Sequence, residues 1–299
     1  MNVDSMRCRT ENGTLLCLLE ENGVCIAGCE EAGDFLDIPE TIEGAAVCGI
    51  GRKAFLGNRS LQHIILPKTI EWIGDWAFGS CAKLQRVEFP CRPIRLGKGI
   101  FAKDQRLYEI SLKSREGKPI LPARLPAVAV AMLDAEYLLN AAQMGIAEWY
   151  GHFDNRLLTL LMEPIENALK DLVYCAEEDM GAKQEAYLAG QECRKAYMAL
   201  LRLAYPDMLE EDTAEKLKAY LVDDEGLQTE VAWETIKRAE GKEQLLFCDI
   251  MLRSNGIREE NLTPVLEDLG DAFVELKAHL LKGWEGRKAK ISVSERFML

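Results

Sequence analysis

The chain has 299 residues, 48% of them hydrophobic, with ten cysteines and a formal net charge of −13 at pH 7. That length accommodates two domains and a substantial core, and the apolar share excludes global disorder. Residues 1–120 hold 16 basic and 16 acidic side chains while residues 121–299 hold 20 and 33; the acidic second half argues against nucleic acid or an anionic membrane as partner, because phosphate binding needs a basic face.

Asp4, Arg7 and Arg9 interrupt the N-terminus, and the apolar run at residues 14–19 is too short for a secretion-signal core. The longest later run, residues 125–133, is about half a membrane span. The expectation is a soluble, cytoplasmic chain whose thiols stay reduced. A metal reading of Cys25 and Cys29 lacks any nearby histidine and gives way to semi-buried cysteines.

Residues 14–19, 24–27 and 35–38 read as short strands, with a turn at 20–23. Asn22-Gly23 between two apolar runs is a hairpin signal, and a hairpin here suits the cap of whatever stacks behind it.

From residue 35 the chain repeats. Residues 61–83, LQHIILPKTIEWIGDWAFGSCAK, are followed in the same frame by LQRVEFPCRPIRLGKGIFAKDQR. Leu61, Leu84 and Leu107 are 23 residues apart, as are Ile50, Ile73 and Leu96; Gly51, Gly74 and Gly97; and Phe55, Phe78 and Phe101. Four positions keeping one period mark a stacked repeat. The first repeat is longer, with the excess around Glu43-Gly44-Ala45, at a turn.

The frame Leu61, Ile64, Leu66-Pro67, Ile70, Ile73-Gly74, Ala77-Phe78 and Cys81 resembles the BspA-like family of leucine-rich repeats, over residues 14–113. The third repeat departs from it, with Pro93 where a free N–H is expected and Ile100-Phe101 in place of Ala77-Phe78. The resemblance implies a protein-interaction module of bacterial origin, and a surface adhesin if an export signal belongs to the protein. Cys81 takes the family's structural cysteine position.

Strand alternation supplies the faces independently of any resemblance. Ile64 and Leu66 share the inward face; the outward row is Phe35 and Asp37, His63 and Ile65, Arg86 and Glu88, Glu109 and Ser111. These eight are the candidate protein-binding residues, on the concave sheet of the solenoid. Phe35 and Ile65 are apolar on a face that meets solvent, which points to contact with a partner, or to cover for a neighbouring domain. Trp72 and Trp76, outside the strands, read as packing residues.

Residues 114–126 carry prolines, a glycine and basic side chains, and read as a linker. Beyond them the period becomes helical: residues 127–140, 156–176, 183–205 (ended by Pro206), 212–221, 229–239, 242–253, 259–269 and 271–284. The pairs 229–253 and 259–284 match at an offset of about 30 residues, weakly like an ankyrin-type stack without its TPLH turn. Residues 287–299 read as a loose tail.

No catalytic motif occurs. His63, His152 and His279 lie in separate elements, and the acidic triplets Glu177-Glu178-Asp179, Glu210-Glu211-Asp212 and Asp223-Asp224-Glu225 lack the alternation of a calcium loop. Glu210-Glu211-Asp212 suits a helix N-terminus instead.

The expectation is an α+β chain: a short right-handed leucine-rich-repeat β-solenoid with its cap (1–113), a linker (114–126), an acidic all-helical domain (127–286) and a tail (287–299). Its function is non-enzymatic protein binding, with no catalytic residue, cofactor or metal. The rival is an enzyme or small-ligand binder whose site lies in the helical half.

Overall fold

The computed structural model describes residues 5–102, 106–113, 120–139, 144–167, 180–222 and 227–297. They form two compact units that part between Arg156 and Leu157.

The first unit begins as an antiparallel meander of β1 (Ser5–Thr10), β2 (Gly13–Glu20) and β3 (Gly23–Glu30). The hairpin expected at Asn22-Gly23 is the β2–β3 turn; β1, with Asn12-Gly13 behind it, was not foreseen. Gly23 is required twice over. Its φ is +136°, and a Cβ there would lie 2.4 Å from the Ala46 carbonyl oxygen.

The chain then winds between two sheets: β4 (Phe35–Asp37), β5 (Thr41–Ile42), β6 (Ala45–Ile50), β7 (His63–Ile65), β8 (Trp72–Ile73), β9 (Arg86–Pro90), β10 (Arg95–Leu96) and β11 (Glu109–Lys113). One sheet continues the meander in the order β1-β2-β3-β6-β8-β10, parallel from β3 onward; the other is all parallel, β4-β7-β9-β11. This is a β-solenoid of about four coils followed by helices. The five residues in excess in the first repeat have a structure of their own. β5 pairs antiparallel with β6 across Glu43 (φ 50°) and Gly44 (φ 83°), the two left-handed positions of a type I′ turn.

The core lies between the sheets. Leu36, Ile64, Val87 and Ile110, the second residues of the four parallel strands and matched in register, are 0–1% exposed, and each such burial contributes roughly 1.5–3 kcal/mol. Phe55, Phe78 and Phe101 stack at 5.1 and 5.5 Å. At the corners, a Cβ on Gly74 would lie 2.7 Å from the Arg52 nitrogen and one on Gly97 2.5 Å from the Asp75 nitrogen. Glycine there lets one coil lie close on the next.

The described part of the connector, from residue 120, docks onto the last strand. Ile120 N–H donates to Leu112 O and Ile110 N–H to Ala123 O, each at 3.0 Å. α1 (Arg124–Ala131) packs against β11, with the Arg124 guanidinium 3.5 Å from the centre of the Tyr108 ring. Gly99 N–H donates to Glu136 Oε2 at 2.8 Å, tying the third coil to a short 3-10 turn at Glu136–Leu139. The compact units therefore do not part at residues 114–126, where composition alone had drawn the linker. The single helix expected over 127–140 breaks after Ala131, with Asp134 at φ 50°. α2 (Ala147–Met162) starts earlier than expected and stops before Pro164, which the helical reading of 156–176 had run through.

In the second unit α3 (Met180–Ala204) contacts α4 (Glu211–Leu221), α5 (Leu227–Arg238) and α6 (Gly241–Arg253). α7 (Glu259–Leu269) follows, and α8 (Val274–Phe297) lies against α6. Arg202, fully buried, donates to the carbonyls of Tyr205 and Asp207 and so closes the C-terminus of α3 before α4 begins. The stretch from 287, expected to be a loose tail, continues α8 to Phe297. Arg287 anchors it by donating to Leu252 O at 2.9 Å and Ile257 O at 3.1 Å.

Candidate protein-interaction surface

The parallel strands β4, β7, β9 and β11 bring the eight outward residues into two rows. Register pairs Phe35 with His63, His63 with Arg86, and Arg86 with Glu109; it pairs Asp37 with Ile65, Ile65 with Glu88, and Glu88 with Ser111. With strands about 4.8 Å apart, row neighbours lie within side-chain reach of one another. The alternation that buries Leu36, Ile64, Val87 and Ile110 turns these eight outward, and none of them is buried.

Most of the charge in the rows is matched. Arg86 Nε donates to Glu109 Oε2 at 2.9 Å, and His63 Nε2 stands 3.2 Å from Glu88 Oε1. The Phe35 ring meets the His63 ring edge-on at 5.1 Å. Asp37 is exposed and makes no ion pair among the described residues. Half-buried Phe35 and Ile65 thus sit beside a carboxylate, that of Asp37, with no ion pair among the described residues, at the β4–β7 end of the face.

Trp72 lies over Gly49, where a Cβ would come 2.1 Å from its ring, and acts as packing. Trp76 is 38% exposed, with its ring against Gly79 and Gly99. Lys53, Trp76 and Gly99 all have φ near 60° and are 23 residues apart, so the coil demands a left-handed residue at this position and only the third supplies glycine.

Five of the described cysteines, Cys17, Cys25, Cys48, Cys81 and Cys248, are buried and serve as packing residues. Cys81 Sγ donates to Phe55 O at 3.1 Å and Cys48 Sγ to Val24 O at 3.5 Å. Burial pushes the thiol of Cys17 up to about 11 and those of Cys25 and Cys248 up to about 12, which keeps all three protonated at neutral pH. His279 Nε2 lies 2.8 Å from Asp249 Oδ1 with both side chains about a third exposed, while His152 is exposed on α2. Glu210 occupies the N-cap of α4, with Glu211 and Asp212 in its first turn, as the helix-dipole reading had it. The triplets at 177–179 and 223–225 lie outside the described residues, and among those described no three His, Cys, Asp or Glu side chains converge as metal ligands. Nor, among them, is any helix long and apolar enough to cross a membrane.

Comparison with known proteins bears on the solenoid. Residues 35–117 match the model of the BspA type leucine rich repeat region, in six copies. A leucine rich repeat protein of T. pallidum is 29% identical over 36% of this chain and 49% of its own, with a TM-score of 0.30. A leucine rich cell surface protein of Faecalibacterium prausnitzii is 21% identical over 38% of this chain and 33% of its own, TM-score 0.30. A leucine-rich repeat protein of Bacteroides capillosus is 19% identical over 36% of this chain and 99% of its own, TM-score 0.25. The chain thus spans about half the length of the first of these and a third of the second. No curated protein matches it.

Proposed function

We propose, from a BspA-type repeat region at residues 35–117, that this is a bacterial, non-enzymatic protein-interaction module that meets its partner on the β4–β7–β9–β11 face. The observation that carries the reading is the pairing in register of two outward rows in which Phe35 and Ile65 stay half-exposed next to Asp37. Apolar anchors inside a charged rim are what an interface needs: the anchors supply affinity and the rim supplies orientation. A four-coil sheet is small, so the partner is engaged through a few anchors rather than a broad area.

The compartment proposed is the cytoplasm, where buried thiols such as Cys17, Cys25 and Cys248 persist unpaired. Cell fractionation tests this, and recovery at the surface would favour an adhesin. The binding face is tested by affinity capture from a native lysate with the intact protein and with Ile65→Asp combined with Arg86→Glu. The expected result is loss of the captured partner from a variant whose circular dichroism is unchanged. Capture of the same partner by both proteins would sink the proposal.

A further inference from the structure

The second unit carries a cleft of about 580 Å³ between α5 and α7. Glu230, Trp233, Glu234 and Lys237 form its α5 wall, one stripe at spacings of three and four. The other stripe of α5, Ala232, Thr235 and Ile236, is buried, and Thr235 Oγ1, which donates to the Val231 carbonyl at 2.7 Å, also lies 3.3 Å from the Cys193 carbonyl of α3. Trp233 therefore stands on the cleft side. It is only 6% exposed and gives the cleft an apolar ring, while its indole nitrogen is itself buried and has no acceptor among the described residues.

The α7 wall is Glu260, Pro264 and Asp268 at spacings of four, with Val265 and Leu269 beside them. Pro264 has no N–H to give, so the Glu260 carbonyl lacks its usual helical donor on the side that lines the cleft. Lys237 closes one end: its ammonium lies 2.8 Å from Asp268 and also contacts Glu234. Four carboxylates face two cations: Lys237 contacts Glu234 and Asp268, Arg258 Nη1 lies 3.8 Å from Glu260 Oε1, and Glu230 makes no ion pair among the described residues.

We propose that this cleft binds a peptide segment of a protein partner that carries arginine or lysine between apolar side chains. The cationic head meets Glu230, with Glu260 beside it already shared with Arg258, and can donate to the Glu260 carbonyl that Pro264 leaves without its usual helical donor. The apolar neighbours lie on Trp233, Val265 and Leu269. The α5 wall runs from Thr229 to Lys237, about 12 Å at 1.5 Å per residue. That matches roughly four extended residues at about 3.3 Å each, and is longer than a single ammonium compound needs. The site belongs to the second unit and is independent of the β4–β7–β9–β11 face.

The test is calorimetric titration of the full chain with the amidated tetrapeptide acetyl-Leu-Arg-Val-Arg. Saturable binding is expected, weakened roughly tenfold by combining Glu230→Gln with Glu260→Gln, and weakened again as salt rises from about 0.05 to about 0.5 M. Ile65→Asp on the other face leaves the affinity unchanged, so failure here and failure of the solenoid reading are told apart. Free arginine and acetyl-Leu-Glu-Val-Glu amide show no saturable heat. Absence of binding by the arginine peptide overturns the proposal. So does equal binding of the acidic peptide or of free arginine, or an unchanged affinity in a double variant whose circular dichroism matches the parent.

Discussion

Phe55 and Phe78, 23 residues apart in the chain, stack 5.1 Å apart with their planes 14° from parallel, and Phe101 continues the column. A repeat of the sequence has become a repeat in space, and each ring's stability depends on the coils on either side. The central ring has two such neighbours, which makes the column directly testable.

Replacing Phe78 with Ala should cost about 3–5 kcal/mol, the range for emptying a buried aromatic site. Phe101→Ala should cost less, since that ring stacks on Phe78 alone and meets Phe89 only edge-on at 6.3 Å. Urea unfolding followed by circular dichroism measures both. Equal effects at the two positions would mean that stacking between coils adds nothing.

Glycines should divide by what surrounds them. Gly74→Ala puts a Cβ 2.7 Å from a backbone nitrogen and should destabilise by about 1–3 kcal/mol. Gly190→Ala on α3 meets nothing within 4 Å and should stabilise by up to about 1 kcal/mol, because alanine is the better helix former. Thermal midpoints moving in the same direction for both variants would contradict the close-stacking account.

Arg202→Leu leaves the carbonyls of Tyr205 and Asp207 without their buried donor, and a loss of roughly 2–4 kcal/mol is expected in urea unfolding. A loss below about 1 kcal/mol would show that water replaces the guanidinium at the end of α3.

The solenoid face should contribute little to stability. Arg86 is more than half exposed and Glu109 a third, so a double-mutant cycle on this pair should give a coupling of at most about 1 kcal/mol. A larger coupling would recast the pair as a structural clamp rather than part of an interface.

Burial, with smaller contributions from Glu20, Cys48 and Cys17, raises the Cys25 thiol from 9.0 to about 12. A group whose folded value is raised contributes stability that is complete below 9 and is lost as pH climbs toward 12. The urea midpoint of the native chain should therefore fall over that window, and fall less steeply in Cys25→Ala. Parallel declines would show that this thiol is not the source.

The strand face was readable because its physics is local. In a stacked repeat, alternation sets which side chains turn inward and the 23-residue period sets which residues become neighbours, so Phe35, His63, Arg86 and Glu109 align without any knowledge of distant contacts. The β5–β6 hairpin escaped notice because it needs Glu43 at positive φ, which its residue type does not advertise. The docking of residues 120–131 onto β11 escaped because prolines and basic side chains suggest an open linker until an unpaired strand edge is there to receive them.

In the helical half, periodicity located most of the helices but left their partners open, since an amphipathic stripe records that a face is buried and not against what. By itself the sequence determined the coil, its inward ladders and its outward rows, all consequences of spacing along the chain. Only the tertiary structure decided that Arg202 turns inward to close α3, that Arg287 anchors the end of α8, and that Trp233 and Pro264 face one another across a cleft. The last two join residues 30 or more positions apart with no shared period, and the first depends on a guanidinium turning into the interior, so nothing short of the packed helices could reveal them.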